Sequence, residues 1–244
     1  MTDNVPILPA ATTTDTGTVN AAIAVLPVGS CEQHGPYLPL VTDTLIAIAI
    51  AGAIAGDHPN VLQLPAVTYS CSHEHAAFPG TVSVSATTLW AIFADITESL
   101  AHQGVTGLIV VNAHGGNAVL TNIAQQANLH GPLRVGLYPS REDWAEARVE
   151  ATIISSSHDD MHAGELETSV LLAAYPDYVR EGWNTADHSA PDRRYLTTLG
   201  INAYTESGVI GQPSQATREK GMRALSHLGA AAGTLIGLLA TSHD

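Results

Sequence analysis

Basic residues are scarce in this chain: Lys and Arg total 9 against 23 Asp and Glu, a formal net charge of −14. A surface of that sign repels phosphate backbones and anionic lipid, which argues against nucleic acid and membranes as partners. Cysteine is scarcer still. Cys31 and Cys71 lie far apart and form no C-x-x-C pair, so no disulfide framework is indicated and a reducing, cytoplasmic setting is expected. The first twenty residues lack the basic and apolar regions of a signal peptide. Long unbroken apolar runs are missing too. The longest near the end, Ala224 to Ala240, contains Ser226, His227, Thr234 and three glycines. It is short for a membrane span and reads as a buried or oligomer-facing helix. No G-x-G-x-x-G or G-x-x-x-x-G-K-[ST] loop follows a strand, which sets aside a nucleotide-binding α/β protein.

What is present favours a packed core: 45% of residues are hydrophobic and 13% charged. The Thr-rich run from Thr12 to Thr16 suggests that residues 1–20 form a flexible leader, with 21–244 as a single domain. Short apolar runs predict strands at Ile23 to Val28, Val61 to Val67, Gly107 to Asn112 and Leu133 to Leu137. Pro65 restricts the second of these to an edge or a strand end. Helices are expected from Leu45 to Ile54, Thr87 to His102, Asn117 to Leu129, Glu165 to Ala174 and Thr217 to Leu239. Strands alternating with helices imply a three-layer α/β domain, a mainly parallel sheet flanked by helices on both faces.

Four segments bring metal-competent side chains to predicted strand ends. In Gly29-Ser30-Cys31-Glu32-Gln33-His34-Gly35, Glu32 and His34 are two residues apart and project to the same side of an extended chain. A carboxylate and an imidazole converging there suit Zn²⁺, Mn²⁺ or Fe²⁺. Asp43 stands at the mouth of the next helix, where it could equally be a cap. His114-Gly115-Gly116-Asn117 follows the clearest strand, at the edge where open α/β sheets bind ligands. Finally, the stretch from His158 to Ser169 contains two histidines and four carboxylates. A lone histidine after a strand is more often structural, and a charged stretch more often a solvated loop; convergence at one sheet edge favours metal chemistry. His73, Glu74 and His75 fall in a loop that could line a pocket or serve as ordinary surface. Tyr37, Trp144 and Trp183 could shape a pocket, and Cys31 reads as a small packed residue.

The stretch Val28 to Leu40 with Thr42-Asp43-Thr44 resembles the signature of the creatininase (creatinine amidohydrolase) family. Glu74-His75 before Phe78-Pro79-Gly80-Thr81, His114-Gly115-Gly116-Asn117, His162-Ala163-Gly164-Glu165 with Glu167-Thr168-Ser169, and Gly208-Val209-Ile210-Gly211 agree in order. The resemblance implies an amidohydrolase with two divalent ions per subunit (Zn, Mn or Fe), assembled as a hexamer. It implies Glu32, His34, Asp43 and His114 as ligands, Asp43 bridging, and His162 in proton transfer. Creatininase itself carries a glutamate ligand two positions after the ligand histidine, where this chain has Gly116. Glu165 is then expected to complete the second site, with Glu167 as an alternative ligand or a residue that orients one. His75, Gly115, Gly116 and Asn117 are expected in the substrate pocket. The H-G-G-N form is more similar to members acting on other amides, and a mycofactocin-type precursor-peptide peptidase leads the expected activities. The alternatives are hydrolysis of creatinine or another small amide, and a non-catalytic metal-binding scaffold.

Overall fold

The computed structural model describes residues 6–19 and 21–241. Four strands, β1 (Ile23–Val28), β2 (Val61–Gln63), β3 (Gly107–Asn112) and β4 (Arg134–Tyr138), form one sheet in the order β2-β1-β3-β4, every pair parallel. The expected second strand shrinks to three residues at the edge. Beyond it Leu64 N still donates to the Val25 carbonyl at 2.9 Å, and an isolated bridge joins Val28 to Val67. Pro27 sits in a central strand, but its carbonyl accepts from Val67 N at 2.9 Å. Its missing N–H therefore faces the side on which β2 has already ended, and the ladder loses nothing.

Alternation along the strands builds two cores. Ile23, Val25, Ile109 and Val111 face α2 (Thr42–Asp57), α5 (Arg141–Glu150), α6 (Glu165–Ala174), α8 (Arg218–Ala231) and α9 (Gly233–Ala240). Ala24, Leu26, Leu108 and Val110 face α3 (Ala86–His102) and α4 (Val119–His130). Helices on both faces make the three-layer α/β architecture expected from the sequence.

Three expectations change. Residues 13–19 of the proposed leader form a helix, α1 (Thr13–Val19), because Thr12 and Asp15 exchange capping bonds at 2.7 and 3.3 Å. Residues 1–5 and 20 lie outside the described residues. A helix not anticipated, α5, fills the stretch after β4. The C-terminal helix is broken at Ala232, between α8 and α9. A four-residue turn of helix, α7 (Leu196–Leu199), lies over the sheet's carboxyl edge.

The run Arg218–Ala240 is long and apolar enough to cross a bilayer by length and composition. Its α8 half, however, packs across α2, α5 and α6 and buries Gly221, Ala224 and Leu228.

Candidate metal centre

The centre lies beyond the carboxyl ends of β1 and β3. Glu32, His34, Asp43, His75, His114 and His162 are all buried there. Glu32 and His34 come from the extended segment after β1. Asp43 is in the first turn of α2, brought close because Gly29 packs directly on the Asp43–Thr44 backbone. Asp43 makes no cap bond. Its Oδ2 instead accepts from Ser30 Oγ at 2.8 Å, so the capping alternative falls away.

The two Asp43 oxygens face two different imidazoles: Oδ1 is 3.0 Å from His34 Nε2 and Oδ2 is 3.0 Å from His114 Nδ1. Glu32 Oε2 is 3.2 Å from His114 Nε2, and Oε1 is 3.3 Å from His75 Nε2 and 3.9 Å from His162 Nδ1. Glu167 reaches in from α6, with Oε2 3.9 Å from His34 Nε2. Three overlapping donor groups result: Glu32–Asp43–His114, His34–His162–Glu167 and Glu32–His75–His162.

Electrostatics test whether these residues suit a cation. Burial pushes the Glu32 carboxyl up, and Asp43 pushes it further. Both Glu32 oxygens are buried without a hydrogen-bond donor, a costly state for a carboxylate. Burial would depress His34 and His114, but the neighbouring carboxylates outweigh it, raising His34 to about 9 and His114 well above its ordinary value. Each of these rings has both nitrogens on acceptors. His34 Nδ1 donates to the Glu32 carbonyl at 3.2 Å and His114 Nε2 to the Cys71 carbonyl at 2.8 Å. Protons on these imidazoles thus stand in for positive charge that the carboxylates require. A divalent ion would answer the same requirement, so the donor set fits one.

The other two histidines behave oppositely. Burial, with His34 as the next cause, lowers His75 to about 3 and His162 well below the ordinary range. Gln33, between two of the central residues in sequence, points the other way and positions both rings. Its Nε2 is 2.9 Å from His75 Nδ1, and its carbonyl accepts from His162 Nε2 at 2.7 Å. His162 Nδ1 is left as a free base on the Glu32 side.

Glu165 does not join the centre, which corrects the expectation that it completes the second site. Its carboxylate takes Lys220 Nζ at 2.5 Å, Ser155 Oγ at 2.6 Å and the Ile154 and Ser155 amides. Burial would raise its pKa, but Lys220 and these donors bring it below the ordinary value. Glu167 faces the histidines instead, and burial pushes its carboxyl up to about 8 against the opposing pull of His34.

Asn117 is also misplaced by the sequence reading. It accepts from Cys71 N at 3.1 Å and donates to the Gly29 carbonyl at 3.3 Å, tying loops together rather than lining the pocket. Of the cluster near His158, His158 and Asp159 make surface-turn bonds to Pro191 and Ser156. Asp160 caps α6 through the Glu165 and Leu166 amides.

A cavity of about 430 Å³ opens over the centre, walled by Glu74, His75, Gly115, Gly116, Met161 and Leu196 among others. A second, of about 730 Å³, adjoins it and is lined by Trp144, Arg141, Ile153, Leu166 and Ser156. The two share Ala113, His114, Gly115, Met161 and Glu167 as a common wall. Trp183 and Tyr37 line neither chamber.

The fold has counterparts. A zinc–zinc form of a mutant creatininase superposes with a TM-score of 0.80 at 24% identity, covering 96% of this chain and 99% of that one. The mycofactocin precursor peptide peptidase of Mycolicibacterium smegmatis is 34% identical over 215 residues, 84% of this chain and 81% of that protein. The creatinine amidohydrolase of Pseudomonas putida is 30% identical over 220 residues, 82% of each. The pattern of the creatinine amidohydrolase family spans residues 10–236. With the motif segments gathered into one buried carboxylate–histidine centre, this extent of match establishes that the chain belongs to the creatininase family of hydrolases.

Proposed function

We propose that the chain hydrolyses an amide C–N bond using two divalent ions, with a mycofactocin-type precursor peptide as the leading substrate. The observation that carries the reading is Glu32: wholly buried, both oxygens without a donor, and ringed by three imidazoles and Asp43. Glu32, Asp43 and His114 would hold one ion, and His34, Asp43 and Glu167 the other. When bound, such ions polarise a carbonyl and bring the pKa of a water toward neutrality.

The remaining work falls to the chain. His162 is fixed by its Nε2 bond to the Gln33 carbonyl, so its unprotonated Nδ1 faces the reaction space. It is the group placed to collect a proton there and deliver it to the leaving nitrogen, which a poor leaving group requires. The buried walls exclude bulk water from that transfer.

Two chambers on either side of one shared wall favour a substrate extending in both directions from the scissile bond, as a peptide does. They exceed the needs of a creatinine-sized molecule. Identity to the named peptidase supports the same reading.

The test is metal content per chain together with hydrolysis of a panel: a precursor peptide, creatinine and a formamido-pyrimidine. Two ions per chain and cleavage of the peptide are expected. Protein that binds no ion and cleaves nothing, even after divalent ions are returned, would overturn the reading.

A further inference from the structure

Gly116 leaves no room for a side chain. A Cβ built there would collide with Glu74 Oε1 and His114 Nε2, and it would stand 2.8 Å from the Cys71 carbonyl. One of those obstacles is itself an acid, carried on the short turn His73–His75. Glu74 Oε1 lies 3.7 Å from His114 Nε2, and the side chain is 21% exposed. Glu74 and Gly116 thus form a complementary pair, in which the space that a side chain at 116 would fill holds a carboxylate from another segment.

The charge balance around His114 gives that carboxylate a task. Glu32, Asp43 and Glu74 approach this one imidazole at 3.2, 3.0 and 3.7 Å. The buried Glu32 oxygens have no hydrogen-bond donor. Three carboxylates converging on one buried ring suit a bound cation. The Glu32–Asp43–His114 group also offers three protein donors, and an ion that expands to five-coordination has room for a fourth beside a bound water.

We infer that Glu74 is a fourth protein ligand of the ion held by Glu32, Asp43 and His114, made possible by the absence of a side chain at Gly116. This rests on the metal reading above but goes beyond it, since neither the sequence motif around His114 nor the groups already described include Glu74. It also assigns a reason to Gly116: the glycine is needed because the ligand comes from elsewhere. His75, next in sequence, faces Glu32, so the turn would present two adjacent side chains to the centre.

The experiment measures divalent-ion binding by the full chain, by calorimetric titration of zinc into chelator-stripped protein and by elemental analysis, with folding checked by circular dichroism. Glu74→Gln preserves shape and removes only the charge. It is expected to weaken one of the bound zinc ions by at least about tenfold, with the other unchanged. The variant Glu74→Asp keeps a carboxylate on the same turn, and it is expected to retain two-ion binding that Glu74→Gln loses. Wild-type protein that binds two zinc ions while Glu74→Gln binds both with unaltered affinity would overturn this inference alone. Wild-type protein that binds none would instead overturn the two-ion reading on which it rests.

Discussion

At the scale of single residues, the centre sets stability against function. Glu32 is a buried carboxylate without a hydrogen-bond donor, so Glu32→Gln should abolish hydrolysis yet leave metal-stripped protein no less stable than wild type. A gain of about 1–3 kcal/mol in urea unfolding of the stripped forms is expected, from the removed desolvation penalty. A loss of that size would mean that Glu32 is satisfied within the polypeptide. His162→Ala should lower kcat by roughly 10²–10⁴-fold while zinc content stays at the wild-type level; loss of an ion would make His162 a ligand instead. The convergence of Glu32, His34, Asp43 and His114 is legible in the sequence because each lies on a short segment just beyond a strand or at the mouth of the next helix. The choice between Glu165 and Glu167 could not. Both lie in the first turn of α6, and at about 100° per residue they point some 200° apart, so only one can face the histidines. Lys220, 55 residues away in sequence, takes the other.

At the scale of elements, the pairing of α6 with α8 is the most exposed to test. Lys220 and Glu165 join these helices through a buried ion pair. Lys220→Met should destabilise by about 3–5 kcal/mol at neutral pH, because it strands a buried charge. Glu165 has a depressed folded-state pKa, so its contribution is present above the ordinary carboxylate value of 4.5. That contribution is lost as pH falls through the lower folded value. The deficit of Lys220→Met, followed by urea unfolding, should therefore shrink on acidification; a deficit independent of pH would refute the assignment.

Glycines give a second contrast along the same run. A Cβ at Gly221 would overlap the Ser169 carbonyl and meet Ala173 Cβ at 2.9 Å, whereas nothing lies within 4 Å of one at Gly237. Gly221→Ala should cost about 1–3 kcal/mol, and Gly237→Ala should add about 0.5–1 kcal/mol, both read as shifts in Tm. Most elements were legible from an unbroken apolar run or an apolar period. Among those that were not, α5 is mainly polar and buries only Ala147, so periodicity is silent there. Its signal was the capping box of Ser140 and Asp143, with bonds at 2.7 and 3.1 Å.

At the scale of the whole molecule, the two cores lie on opposite faces of the sheet, and the centre joins segments from both. Ion binding should therefore stabilise the fold globally. At a free ion concentration 100 times Kd the gain is about 2.7 kcal/mol, seen as a fall in Tm when a chelator is added and recovery when zinc is returned. A Tm indifferent to chelation would show that the ions are not linked to folding.

Gln33 carries a consequence for how such a molecule comes into being. Its side-chain amide bonds His75 and the Gly208 carbonyl, and its main-chain carbonyl accepts from His162, partners 42, 175 and 129 residues further along the chain. A ribosome therefore releases Glu32, His34 and Asp43 long before the parts that orient their neighbours exist. During most of synthesis an ion meeting the nascent chain finds a few flexible donors that any transition metal can occupy and leave. Only after residue 208 has emerged and docked is the binding geometry fixed, so the choice of metal belongs to the finished protein and not to whichever ion arrives first.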